Sequence, residues 1–394
     1  MNTSYTGHLE NNLWDFAYSM DETYESEEHY EIIDFLNASS NFRPFGDGLL
    51  SIIQRKYPDS VIDSSSIIPF LKEKCSENGV PIANIASQNT LTNWFKKDMR
   101  PKKADTSRRS MFALAFALGL TVEETKDLFH KVYLDRAFNY RNETEIIYYY
   151  CLQHQRIWAD VERLIASVGV SSSTESSESR YTAIIKGEIE QIANDDELLA
   201  YISEHCTDFE KDSKTAKVEF NRLVEEAKAT AQNEIEKGKT EYQEVIENKW
   251  HSEDSFSANL LYNIIIGFNP SAGKGTKTIF GKSHLPKEIK NRFPEAASFS
   301  RKDIGSEELR KVIILLFSYV TWYQMQENDA DYGYDDYKEQ LDALLSDCNF
   351  SNMYYGNPYD WMFLYCTLFE SSEENGAQPL VTFREVIAEA LGVE

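Results

Sequence analysis

The sequence predicts an all-α protein, and three observations carry that expectation. Apolar residues recur at three- and four-residue spacing in most segments, which is the period of a helix with one buried face. Few segments show the sustained alternation of a half-buried strand. Several periodic stretches also carry helix start and stop signals, such as Thr121 followed by Glu124, or Gly79 and Gly119 just past an apolar run.

Taken in order, "EIIDFLNASSNF" and "DGLLSIIQRKY" suit short amphipathic helices, and "SIIPFLKEKCSENG" suits a helix closed by Gly79. A short helix is expected from Gln88 to about Lys96, with Leu91 and Trp94 turned inward. "RRSMFALAFALGL" is nearly all apolar, which predicts a buried helix stopped at Gly119. "TVEETKDLFHKVY" opens with a capping box, Thr121 and Glu124 each satisfying an otherwise free amide. "ETEIIYYYCLQHQRIWADVERLIASVG" reads as one further helix up to Gly169. The Ser-rich "SVGVSSSTESSES" reads as a linker. "TAIIKGEIEQIANDDELLAYISEH" follows, and then a charged run from Phe209 to Trp250. There Leu223, Ala227, Ala231 and Ile235 recur every four residues, predicting one or two long helices packed along one face. "LRKVIILLFSYVTWYQM", "YDDYKEQLDALLSDCNF" and "GNPYDWMFLYCTLF" complete the chain as buried helices, with Pro358 placed where a first helical turn tolerates it.

With 394 residues there is enough chain for two or three domains with their own cores. Tyr and Phe are abundant, 23 and 22 residues, and such rings favour well-packed cores or contact surfaces over disorder. The net charge of −25 repels nucleic acid and anionic membranes unless positive charge is gathered locally, and it attracts basic partners. Nine carboxylates precede Arg43, the first Arg or Lys, so residues 1–42 read as an acidic N-terminal arm. No signal-peptide pattern opens the chain and no apolar run is long enough to span a bilayer. The five Cys, at 75, 151, 206, 348 and 366, form no CxxC pair and read as reduced thiols of a cytoplasmic protein.

Positive charge is concentrated in "NTLTNWFKKDMRPKKADTSRR", Asn89 to Arg109. Between Lys96 and Arg109, seven cations face only Asp98 and Asp105. Two stretches here, "ASQNTLTNWFKKDMRPKK" and "SMFALAFALGLTVEETKDLF", resemble the lambda-repressor-like (XRE-type) helix-turn-helix family. The first is similar to that family's recognition helix and the basic, Pro-containing turn after it. The second is similar to the apolar helix, Gly turn and capped helix that complete the bundle. The resemblance covers residues about 66 to 129. It implies a repressor-like helix-turn-helix region at 64–135, inside a helical domain at 43–166. Beyond the resemblance, the Ser-rich composition places a linker at 167–180, and the helical periodicity after it a larger C-terminal helical domain at 181–394. The resemblance also implies double-stranded DNA as partner. Gln88, Asn89, Thr92 and Asn93 would meet base edges, and Lys96, Lys97, Arg100, Lys102, Lys103, Arg108 and Arg109 would meet phosphates. The sequence departs from the pattern at one place. Only "PIANIA" separates the Gly79 stop from the recognition helix, so the preceding helix of the motif is short by about one turn.

Other signals are weaker. "GFNPSAGKGTK" misses the P-loop pattern, because Gly275 stands where the magnesium-binding hydroxyl belongs. The seven His show no metal spacing, "NDADYGYDDY" lacks the EF-hand pattern, and no G-x-S-x-G nucleophile occurs. Tyr354, Tyr355, Tyr359 and Trp361 are candidates for a stacking or partner platform, while Trp361, Leu364 and Tyr365, at helical spacing, read more simply as core residues. The favoured expectation is a non-enzymatic, cofactor-free, cytoplasmic DNA-binding regulator whose C-terminal domain senses, oligomerises or binds a protein. The alternative is an acidic protein-interaction module, an adaptor or nucleic-acid mimic that engages a basic protein without binding DNA. A third reading, an enzyme whose site is assembled only by the fold, stays open.

Overall fold

A computed structural model of the chain describes residues 28–37, 41–97, 99–101, 104–168, 182–205, 214–237, 258–267, 294, 296–300, 304–328, 333–368 and 379–391. Among them every regular element is helical and no strand occurs. The chain divides into two units: residues 43–215 with 345–351, and residues 1–42 with 216–344 and 352–394.

After a first helix, α1 (Glu28–Asn37), which belongs to the other unit, the unit that begins at Arg43 contains α2 (Phe45–Lys56), α3 (Ile67–Glu77), α4 (Ile82–Ile85) and α5 (Gln88–Lys96). It continues with α6 (Asp105–Ala117), α7 (Val122–Asp127), a π-helical turn (Leu128–Tyr133), α8 (Glu143–Gln153), α9 (Trp158–Ser167), α10 (Thr182–Glu190) and α11 (Asp195–Glu204). Helix α6 is the axis of its core: Met111 to Leu118 are all buried, as an Ala-rich apolar run allows. Phe112 stacks on Tyr148 at 4.6 Å and meets Phe129 at the same distance, while Phe116 meets Trp158 edge-on at 5.5 Å. α3 and α4 pack against α6, α5 against α2, and α2 against the π-helical turn.

The punctuation read from the sequence forms as expected. Gly79 and Gly119 take left-handed φ of 65° and 58°, and the amides of Val80 and Leu120 reach back to the carbonyls of Cys75 and Ala115. The Thr121–Glu124 capping box is present in both directions.

Two expectations are corrected in this unit. The stretch from Glu143 to Ser167 is two helices, broken where Gln155 takes φ 53° and the amide of Arg156 closes on the Cys151 carbonyl. The His154 ring is held there by the Ile192 carbonyl at 3.0 Å. Second, α10 and α11 belong to this unit and not to a C-terminal domain beginning at 181. Ile185, Ile189, Ile192, Leu198 and Ile202 lie in its core, and Tyr150 donates to Asp195 at 2.8 Å. Most of the expected linker, residues 169–180, lies outside the described residues.

The other unit holds α1 (Glu28–Asn37), α12 (Lys214–Lys237), α13 (Ala258–Ile265), a 3₁₀ turn (Ala296–Phe299), α14 (Ser306–Asn328), α15 (Tyr334–Asp347), α16 (Pro358–Leu368) and α17 (Pro379–Leu391). α16 is buried from Tyr359 to Leu368. Tyr354, Tyr359 and Trp361 are therefore core residues and not a partner platform, with Trp361 packed on Phe35 at 4.6 Å. That contact, with buried Ile32, Ile33 and Leu36, ties α1 into the unit, so this part of the expected acidic arm is packed. Leu223, Ala227, Ala231 and Ile235 of α12 are all buried, as their four-residue spacing predicts.

Candidate nucleic-acid interface

Helix α5 begins where the sequence places it. Ala86 is extended, and the Ser87 hydroxyl accepts from the Thr90 amide at 3.2 Å, a side-chain N-cap for one of the otherwise free amides. α5 ends on a single carbonyl, that of Asn93, which receives the amides of Lys97 and Met99 at 3.1 and 3.2 Å. Leu91 and Trp94 are buried, and the Trp94 ring meets Phe45 of α2 edge-on at 5.1 Å. Rigid attachment along one side leaves the opposite side to carry Gln88, Asn89 and Lys96, all exposed, with Thr92 half-buried beside them. The Thr92 hydroxyl donates to the Gln88 carbonyl of its own helix at 2.9 Å. Asn93 lies at the edge of this face and turns its amide oxygen inward, buried and without a hydrogen-bond partner. A side chain so placed does not offer the paired oxygen and nitrogen that read an adenine edge.

The cations of the basic run separate into two groups. Lys96, Lys97 and Arg109 are exposed. Arg100 is half-buried, and its guanidinium donates to the carbonyls of Val132, at 2.5 Å, and Arg43, at 3.4 Å. Arg108 is 6% exposed. Its nitrogens pair with both Glu145 oxygens at 2.7 and 2.8 Å, with Asp135 at 2.7 Å, and with the carbonyls of Arg136 and Ala137. The Phe129 ring lies 5.1 Å from its guanidinium carbon. Burial alone disfavours the charge, but the Glu145 and Asp135 carboxylates outweigh it and hold the guanidinium more firmly protonated than usual. The assignment of Arg108 to phosphate is thus corrected: all its donor directions are taken inside the fold, and solvent reaches little of it. Arg100 is corrected in part, since backbone carbonyls occupy its fork. Lys102 and Lys103 lie outside the described residues.

Sequence reasoning missed the partners that sort these cations. Glu145 sits on α8, where Asn142 caps the helix and Glu145 also accepts the Asn139 amide at 2.7 Å. Nothing local marks it as the mate of a residue in α6. Gly46 did leave a signal, because "FGDG" places two glycines in the first turns of a helix, an unfavourable choice unless another backbone comes close. One does: a Cβ on Gly46 would collide with the Trp94 carbonyl oxygen and stand 3.0 Å from the Phe95 Cα.

No family model, curated protein or solved structure matches this chain. A helix fixed by its apolar side, presenting short amides, a hydroxyl and flanking lysines, has the chemistry to lie along duplex DNA with amides toward bases and ammoniums toward phosphates. Among the described residues no cluster of three or more His, Cys, Asp or Glu is placed to hold a metal ion, and no helix is long and apolar enough to cross a membrane. The four described Cys are buried, and burial pushes the Cys75 and Cys151 thiols up to about 11 and about 12, the opposite of an activated thiolate.

Proposed function

We propose that the protein is a cytoplasmic regulator that binds double-stranded DNA through the exposed face of α5, in the manner of the lambda-repressor-like family its residues 66 to 129 resemble. The other unit would carry sensing or protein contact. One observation carries this reading: α5 is locked by Leu91 and Trp94 while Gln88, Asn89, Lys96 and Lys97 face outward together. Gln88 and Asn89 would read base edges, and Lys96, Lys97 and Arg109 would contact phosphate. With Lys96, Lys97 and Arg109 the exposed cations among the described residues of this run, on a chain of net charge −25, binding should be weak at physiological salt and steeply salt-dependent.

The test is fluorescence anisotropy of a labelled random duplex with the full chain across a salt series. Binding at low salt that declines linearly in a log–log plot is the expected result. A flat signal at the lowest salt would sink the DNA reading.

A second reading, an acidic module that engages a basic protein, is favoured by the inward turn of Arg100 and Arg108. They subtract two charges from the patch that duplex binding would use. A complex with a polycation such as polylysine, absent with DNA, would favour it.

A further inference from the structure

In the two-helix motif, the helix before the reader crosses the DNA backbone and sets the reader's angle. Here that helix, α4, is one turn long, Ile82 to Ile85. We infer that α5 is aimed instead from its C-terminal end, by a junction of Gly46, Arg100 and the π-helical turn, and that Arg100 is a positioning residue and not a phosphate contact. The inference rests on the DNA reading of α5 and deepens it.

Three segments meet at this junction. The first turn of α2 approaches the end of α5 so closely that a side chain at Gly46 would collide with the Trp94 carbonyl. Two residues on, a Cβ at Gly48 would stand 3.2 Å from both Val132 methyl groups, so α2 also lies close against the π-helical turn, though less tightly than at Gly46. Arg100 then bolts the chain leaving α5 to both neighbours, with one guanidinium nitrogen on the Val132 carbonyl and another on the Arg43 carbonyl. Leu134, at φ 59°, ends the π-helical turn two residues beyond Val132. The Asn93 carbonyl, holding the Lys97 and Met99 amides, fixes the short path from α5 to Arg100. A planar fork suits this task, because it reaches two carbonyls at once in a set geometry that a lysine ammonium does not reproduce.

A residue that aims the reader and one that touches phosphate differ in what their loss changes. Losing a phosphate contact lowers the salt slope by about 0.9 and weakens all sequences alike. Losing aim reduces preference among sequences and leaves the slope unchanged. The experiment enriches a random duplex library on the unaltered full-length protein, then measures affinity for enriched and unselected duplex over a salt series. Arg100→Ala, Arg100→Lys and Gly46→Ala are compared, with thermal melts confirming that each is folded. All three should lose preference for the enriched duplex by the roughly 5- to 150-fold that a lost base contact costs, at an unchanged slope. Gly46→Ala and Arg100→Lys alter no charge, so they decide the matter if Arg100→Ala does not fold. Preference retained in the folded variants overturns the inference and leaves the DNA reading intact. A slope lowered by about one in Arg100→Ala, with preference kept, makes Arg100 a phosphate contact and overturns it too. If the unaltered protein binds no duplex or enriches none, base reading by α5 fails and the inference falls with it.

Discussion

Lys97 and Arg108 belong to the same basic run, carry the same charge and have opposite surroundings. Lys97 ends α5 in solvent, whereas Arg108 is enclosed by Glu145, Asp135, two backbone carbonyls and the Phe129 ring. A cluster of cations in sequence is therefore not a cluster on the surface. Part of this one is structural, holding α6 to α8 and to the chain between the π-helical turn and α8, and only the remainder can meet an anion. The other unit uses arginine as Arg108 is used. Arg310 grips Asp360 with two bonds of 2.8 Å, and Arg384 grips Glu234 while donating to the Ile264 carbonyl at the end of α13.

The comparison breaks most visibly at Arg108. Arg108→Met should destabilise its unit by about 3–5 kcal/mol, because Glu145 stays buried without its cation. Urea unfolding followed by fluorescence measures this. A loss below about 1 kcal/mol would mean that Arg108 is a surface cation after all.

A smaller effect concerns pH. Burial works against the charges of Glu124 and Asp127, but Lys56 bonded to Glu124, and Lys131 with Arg55 at Asp127, outweigh it and lower both carboxyl pKa values. A lowered folded-state value makes this contribution fully present above the ordinary carboxylate range near pH 4. It is lost as the pH falls through the lower folded-state values. These pairs are half-exposed, so their worth is below about 1 kcal/mol each. Glu124→Gln with Asp127→Asn should lower the melting temperature at pH 7, and the gap from the unaltered protein should narrow steadily on acidification below pH 4. A gap that stays constant with pH would contradict the pairing.

Much of this fold was legible because its signals are local. α5, α6 and α7 start and stop on Ser87, Gly119 and Thr121, residues whose own side chain or φ does the work. The break after Gln153 was not legible, since Gln155 adopts a left-handed conformation without being Gly or Asn, and its turn is held by Ile192 from the connection between α10 and α11. The inner face of α5 was readable from the spacing of Leu91 and Trp94. The fate of Arg100 and Arg108 was not, because their partners, Val132, Arg43, Asp135 and Glu145, meet them only once the helices pack. The membership of α10, α11 and α1 likewise depends on tertiary contacts that no linker composition announces.

The most direct test of the central claim, that the outward cations of α5 meet phosphate, is the salt slope of duplex binding for the Lys96→Ala, Lys97→Ala double variant beside the unaltered full-length chain. Both side chains are exposed, so stability should stay within about 0.5 kcal/mol. The slope should fall by about two, one phosphate for each lysine removed. An unchanged slope, with the variant folded and still bound, would show that α5 does not lie against the DNA backbone.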